Sequence, residues 1–110
     1  MTVADKLKEV FDALPTRFNA DAAKGMKSVI QLDLTGDGGG QYHIQIKDGA
    51  CSVAEGTHAA PDMTLTMTAS DYVDMALGKL HGQMAYMSGR LKIAGDLNLT
   101  MKMQTVFKRG

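Results

Sequence analysis

The spacing of apolar positions changes along the chain, and each change predicts a new element. Val3, Leu7, Val10, Phe11 and Leu14 fall at i, i+4, i+7, i+8 and i+11, one stripe of an α-helix. Thr2 is placed to cap it and Asp5 to close a variant capping box. Pro15 is expected to end it. A second short helix is expected over Ala20–Lys24, between an Asn19 cap and a Gly25 stop. The period then drops to two. Ile30, Leu32 and Leu34 alternate with Gln31, Asp33 and Thr35; after the Gly36–Gly40 loop, Tyr42, Ile44 and Ile46 alternate with His43, Gln45 and Lys47. Asp48-Gly49 predicts a two-residue hairpin, since both positions tolerate positive φ, with Ala50–Glu55 as the return strand. After a loop at Gly56–Pro61, Met63, Leu65 and Met67 alternate with Thr64, Thr66 and Thr68. The expectation is an antiparallel meander with one apolar face, which the helices must cover.

Beyond this last strand the spacing becomes helical again. Ser70 is expected to cap a helix over Asp71–Leu77 that stops at Gly78. Leu80, Met84 and Met87 form the stripe of a further short helix, ended by Gly89, and Leu91 and Ile93 alternate with Arg90 and Lys92 as a short strand. Asp96–Phe107 fits two patterns. Leu97, Leu99, Met101 and Met103 alternate as in a strand, whereas a helix capped by Asp96 would carry two apolar stripes, Leu97/Met101 and Leu99/Met103/Val106/Phe107.

Composition narrows the function classes. A chain of 110 residues is expected to be one domain over 1–110. It should bury roughly two-thirds of its unfolded surface in a modest core. There is no Trp, and seven of the nine Met lie between Met63 and Met103. Met is flexible and polarisable, so such an interior can re-pack around guests of varied shape. The formal net charge is zero, which argues against nucleic acid as a partner. A single cysteine, Cys51, excludes an internal disulfide and suits a reducing compartment. No apolar run approaches the ~20 residues that span a bilayer. The N-terminus lacks a signal-peptide pattern, and the Lys-Arg-Gly end is not a peroxisomal address. The expected location is the cytoplasm.

Catalytic and metal motifs are not convincing. Asp33, Thr35, Asp37 and Gly38 imitate the start of a calcium loop, but Ile44 stands where the closing glutamate belongs. The same loop lacks the Gly-Lys-Ser/Thr ending of a phosphate loop, and no Gly-x-Ser-x-Gly elbow occurs. The Asp48-Gly49 turn pairs Ile46 with Cys51 and His43 with Ala54, which sends His43 to the polar face and Cys51 to the apolar one. His58 and His81 are isolated in sequence. Asp71 and Asp74 sit in a first helical turn, where the helix dipole favours acids. Neither an enzyme nor a cofactor is expected. The remainder is a surplus of apolar side chains, either an ordinary core or one opened into a cavity.

From Pro61 to Phe107 the chain resembles the sterol carrier protein type 2 family. The resemblance is carried by Pro61-Asp62, the Met63–Thr68 strand, the Ser70–Leu77 helix, Gly78-Lys79-Leu80, the Gln83–Met87 helix, Gly89-Arg90-Leu91-Lys92-Ile93, Gly95 and Asp96–Phe107. It departs at Gly82, where many relatives have Pro. The resemblance implies an α+β fold: a five-stranded, mostly antiparallel sheet covered on one face by about five helices, with an apolar tunnel between them. It makes Asp96–Phe107 a helix. It implies binding and transfer of fatty acids, fatty acyl-CoA or sterol-like lipids without covalent chemistry, or presentation of a lipid intermediate to partner enzymes as an accessory domain. Met75, Met84, Met87, Leu99, Met103, Val106 and Phe107 are expected to line the tunnel, with Gln83 as a polar contact and Lys79 and Arg90 near a head group. Transient membrane contact and a monomer or homodimer are the accompanying expectations.

Overall fold

The computed structural model describes residues 2–96 together with 98, 99 and 102. Helix α1, Val3–Arg17, begins with the expected capping box: the Asp5 amide donates to the Thr2 hydroxyl and the Thr2 amide to the Asp5 carboxylate. It does not end at Pro15, which lies inside its last turn. Proline removes one intrahelical donor, and near a C-terminus that loss does not stop the helix. The region of the expected second helix forms only a hydrogen-bonded turn, in which Asn19 Oδ1 accepts the Asp21 and Ala22 amides at 3.1 and 3.2 Å.

Five strands follow the alternations: β1 Ser28–Thr35, β2 Gly40–Lys47, β3 Ala50–Glu55, β4 Met63–Thr68 and β5 Lys92–Gly95. Their order in the sheet is β3-β2-β1-β4-β5. The β2–β3 register is the one the Asp48-Gly49 turn dictates, with Ile46 opposite Cys51 and His43 opposite Ala54. The expected meander holds for β1–β2–β3 and fails at β4, which joins β1 in parallel, Leu32 opposite Leu65. The sheet is therefore mixed rather than mostly antiparallel.

The reason lies in residues 56–62. They leave the end of β3 and return across the polar face before β4 starts, and side chains of that face hold them down. Gln31, 5% exposed, donates to the Gly56 carbonyl at 3.3 Å and accepts the His58 amide at 2.9 Å. His43 Nδ1 lies 3.2 Å from the same carbonyl. Asp62 closes the crossing: its carboxylate accepts the Val29 amide at 2.7 Å and its own amide donates to the Val29 carbonyl at 2.8 Å.

The apolar face carries the core. Ile30, Leu32, Ile44, Ile46, Met63 and Met67 are buried under Leu7, Val10 and Leu14 of α1. Phe11 packs its ring 4.7 Å from Tyr42 and 5.8 Å from Tyr72. Tyr72 and Val73 belong to α2, Ala69–Ala76, whose N-cap is Thr68 rather than Ser70: the Thr68 hydroxyl accepts the Asp71 amide at 3.1 Å. Helix α3 covers Gly82–Met87. Among the described residues there are thus three helices, not about five. In the final segment Asn98, Leu99 and Lys102 are helical, and the Asn98 amide donates to the Asp96 carboxylate at 3.0 Å.

Candidate functional site

Helices α2 and α3 end in the same way. At α2 the Lys79 amide reaches back to the Asp74 carbonyl at 2.8 Å and the Gly78 amide to Met75 at 3.2 Å; at α3 the Arg90 amide reaches Ala85 at 2.9 Å and the Gly89 amide reaches Tyr86 at 3.2 Å. Both are Schellman motifs, with Gly78 and Gly89 in the left-handed conformation that a side chain would oppose. Lys79 and Arg90 are therefore held by their backbones just before and just after α3, and both side chains are exposed.

This geometry turns α3 differently from the expected stripe. Ala85 is fully buried, whereas Met84, Tyr86 and Met87 are 62, 50 and 74% exposed. At about 100° per residue, Met87 lies roughly opposite Ala85, with Met84 and Tyr86 on its flanks. The small Ala85 side chain lets the backbone of α3 lie against the core, and the larger side chains are left outside. Met84 and Met87 thus do not form an inward stripe with Leu80, although Leu80 itself packs partly buried against the core. Gln83 is exposed as well. Met75 lies partly buried against the core, and its sulfur comes within 3.5 Å of where a Gly82 side chain would begin. Leu99 is 4% exposed, in the core. Met103, Val106 and Phe107 lie outside the described residues.

Sequence reasoning missed two features. One is an open groove of about 520 Å³ between α1 and the β2–β3 edge, floored by Leu7, Phe11, Tyr42 and Val53 and rimmed by Lys8, Asp12 and Glu55. The other is the approach of His43 and His58, whose ring centroids are 5.3 Å apart. Nothing local in sequence links them, because the crossing of residues 56–62 brings them together. His58 Nδ1 accepts the Ala60 amide at 3.0 Å, so the ring serves the loop's own turn. Among the described residues no three His, Cys, Asp or Glu side chains gather as metal ligands would. Cys51 packs against the core on the opposite face, as the hairpin register requires, and burial pushes its thiol pKa up, away from a reactive thiolate. Burial likewise raises the Tyr72 phenol well above its usual range.

The SCP-2 sterol transfer family model matches residues 4–108. The chain belongs to this family. It is 33% identical over 101 residues to hydroxysteroid dehydrogenase-like protein 2 of Xenopus tropicalis, covering 91% of this chain and 24% of that protein. The chain thus spans about a quarter of the length of the curated relatives it matches. The fold is similar to the sec-alkylsulfatase Pisa1 from Pseudomonas sp. (TM-score 0.76, 22% identity, 91% of this chain and 16% of that one). It is also similar to sterol carrier protein 2 from Aedes aegypti in complex with palmitate (TM-score 0.72, 19% identity, 91% and 92%).

Two residues that carry the family pattern turn out to clasp each other. The Asp62 carbonyl accepts the Asp96 amide at 3.0 Å, and a side chain at Gly95 would begin only 2.5 Å from that carbonyl. Gly95 also has φ +101°, which L side chains rarely adopt. In this SCP-2 domain Asp62 and Gly95 therefore have an architectural role: they join the starts of β1 and β4 to the end of β5. Among the described residues no helix is long and apolar enough to cross a membrane.

Proposed function

We propose that the chain binds a lipid with a long hydrocarbon segment, a fatty acid, a fatty acyl-CoA or a sterol-like molecule, and transfers it without covalent chemistry. The observation that carries this reading is the run of apolar side chains from the core outward. Leu99 is buried, Met75 is half-buried between α2 and α3, and Met84 and Met87 stand in solvent at the outer end. The hydrocarbon would enter beside α3 into the tunnel that family membership implies between sheet and helices. Met75 and Leu99 would form its wall and Met84 and Met87 its mouth. Met103, Val106 and Phe107 are retained as wall residues on the strength of the family pattern. Gln83, Lys79 and Arg90, exposed around the mouth, would meet a carboxylate or phosphate head group. Burial is worth roughly 0.8 kcal/mol per methylene, so an acyl chain supplies enough free energy to offset the cost of association. The complex of the Aedes aegypti relative with palmitate supports this ligand class.

The test is native mass spectrometry of the freshly purified chain, followed by displacement of a fluorescent fatty acid with acyl chains of increasing length. Affinity is expected to rise with each added methylene, and Met75→Lys is expected to abolish that rise while circular dichroism stays unchanged. A chain that carries no lipid and shows no displacement at any acyl length overturns the reading. A second reading, an accessory module presenting a lipid to partner enzymes, is favoured by one observation. The chain matches only 24% of its Xenopus tropicalis relative and 16% of the sulfatase chain. Enzymes that co-purify with the lipid-loaded chain, and take up its lipid only from the complex, would select it.

A further inference from the structure

The two edges of the sheet, β5 and β3, are built differently. Strand β5 is four residues long, opens on the exposed Lys92 and ends at Gly95, whose φ of +101° breaks the extended run. Shortness, an edge lysine and a bent end all discourage pairing with another chain. Strand β3 has none of these: Ala50–Glu55 runs for six residues without Lys, Pro or Gly. Its hydrogen-bonding sides follow from the hairpin register. Just beyond the strand the Gly56 amide donates to the Gln41 carbonyl at 2.7 Å, so Ala50, Ser52 and Ala54 turn their backbone groups to β2. The N–H and C=O groups of Cys51, Val53 and Glu55 point away from the sheet. Among the described residues no backbone group pairs with them. From these facts we infer that the outer edge of β3 takes up an extended peptide of a partner protein as an added antiparallel strand. Its apolar residues would stand opposite Cys51 and Val53, and a basic residue opposite Glu55.

The open groove of about 520 Å³ beside α1 selects this occupant, because it borders the same edge. In an antiparallel ladder, residues that exchange backbone bonds put their side chains on one face. Glu55 pairs with Tyr42, whose ring packs on Phe11, so the side chains of Cys51, Val53 and Glu55 lie on the α1 side. Peptide residues opposite them would project over the groove, towards Leu7, Phe11, Tyr42 and Val53. Main-chain bonds then supply affinity, and the groove reads every second side chain. The rim has two acids, Asp12 and Glu55, against Lys8, and all three are exposed. That balance favours a basic side chain opposite Glu55. A second copy fits poorly. Paired along this edge, it would bring only its own Cys51, Val53 and Glu55 to the α1 side. It would add an acid to an acidic rim and leave the groove without a large apolar side chain. The inference does not rest on a lipid being carried in the interior, because peptide binding at β3 and displacement of a fatty acid are read separately.

The test uses the full chain and the synthetic peptide Ser-Lys-Thr-Leu-Thr-Val-Ser, read by fluorescence anisotropy and by amide shifts of the isotope-labelled chain. Saturable binding is expected, with the largest shifts at Cys51, Val53 and Glu55. N-methylation of the peptide's Leu removes an N–H that faces β3 and should weaken binding about tenfold. N-methylation of the Thr that follows it, whose N–H faces away, should change binding little. Val53→Pro removes the outward N–H at a position where an edge strand tolerates proline. It should cause a similar loss with unchanged circular dichroism. Glu55→Lys should weaken the peptide and favour a version with Glu in place of Lys. Palmitate should leave peptide binding unchanged. Absence of saturable binding, equal losses from the two N-methylations, indifference to Glu55→Lys, or displacement of the peptide by palmitate overturns the inference. So does a concentration-dependent dimer that Val53→Pro abolishes, which would assign the edge to a second copy.

Discussion

Helices α1 and α3 both reach the hydrophobic core and treat their apolar residues in opposite ways. Helix α1 turns Leu7, Val10 and Leu14 inward, each at most 7% exposed, and leaves Asp5, Lys6, Lys8, Glu9 and Asp12 outside. Helix α3 turns only Ala85 inward and leaves Met84, Tyr86 and Met87 out. The first arrangement removes apolar surface from water and stabilises the fold; the second leaves that gain unrealised until something else covers the surface. A helix that serves stability and one that serves contact can thus be told apart by which face holds the large side chains.

The largest effect should come from the α1 side of that contrast. Leu32 is fully buried in β1, and Leu32→Ala is expected to cost about 2–5 kcal/mol in urea unfolding. Met87→Ala, at the most exposed point of α3, should stay within about 0.5 kcal/mol. A Met87→Ala cost near that of Leu32→Ala would break the comparison.

Next comes the clasp between the start of β4 and the end of β5. Gly95→Ala is expected to cost about 1–3 kcal/mol, since it meets the Asp62 carbonyl and adopts φ +101°. A melting temperature equal to the parent's would mean the clasp opens at no cost.

Tyr72 offers a test confined to alkaline pH. Its phenol is fully buried on the α1–α2 side, and burial raises its folded-state pKa above that of the unfolded chain. Stability from keeping it neutral is intact below about pH 10 and lost as pH climbs beyond that value. Tyr72→Phe should flatten this alkaline fall in melting temperature.

The smallest effect concerns the start of α3. Gly82 is its first residue, and its N-cap His81 has φ −76° and ψ 128°, the extended conformation that a following proline requires. Gly82→Pro should stabilise by about 0.4–1 kcal/mol in urea unfolding. Destabilisation would show that α3 needs a looser start than its geometry suggests.

Legibility in the sequence followed how local each cause was. The Thr2/Asp5 capping box, the Asp48-Gly49 turn with its register, and the stops at Gly78 and Gly89 involve residues a few positions apart, and each stands where the pattern placed it. The cap of α2 moved only from Ser70 to Thr68, because the Thr68 hydroxyl accepts the Asp71 amide and starts the helix two residues earlier. For the candidate site, Met75 and Leu99 are inside, whereas Met84 and Met87 are out. Periodicity marks an apolar stripe but does not say which of several contiguous side chains faces in; the close fit of Ala85 decided that.

The alternation of apolar and polar residues placed each of the five strands and their greasy face, because that pattern is written in neighbouring positions, but the same alternation left Asp96–Phe107 open between strand and helix. The partner of β4, the pairing of His43 with His58 and the outward turn of α3 were decided only by the tertiary structure. Each depends on groups far apart in the chain. Gln31 and Asp62 hold the crossing that makes β4 parallel to β1. The burial of Ala85 sets the side of α3 that meets the solvent.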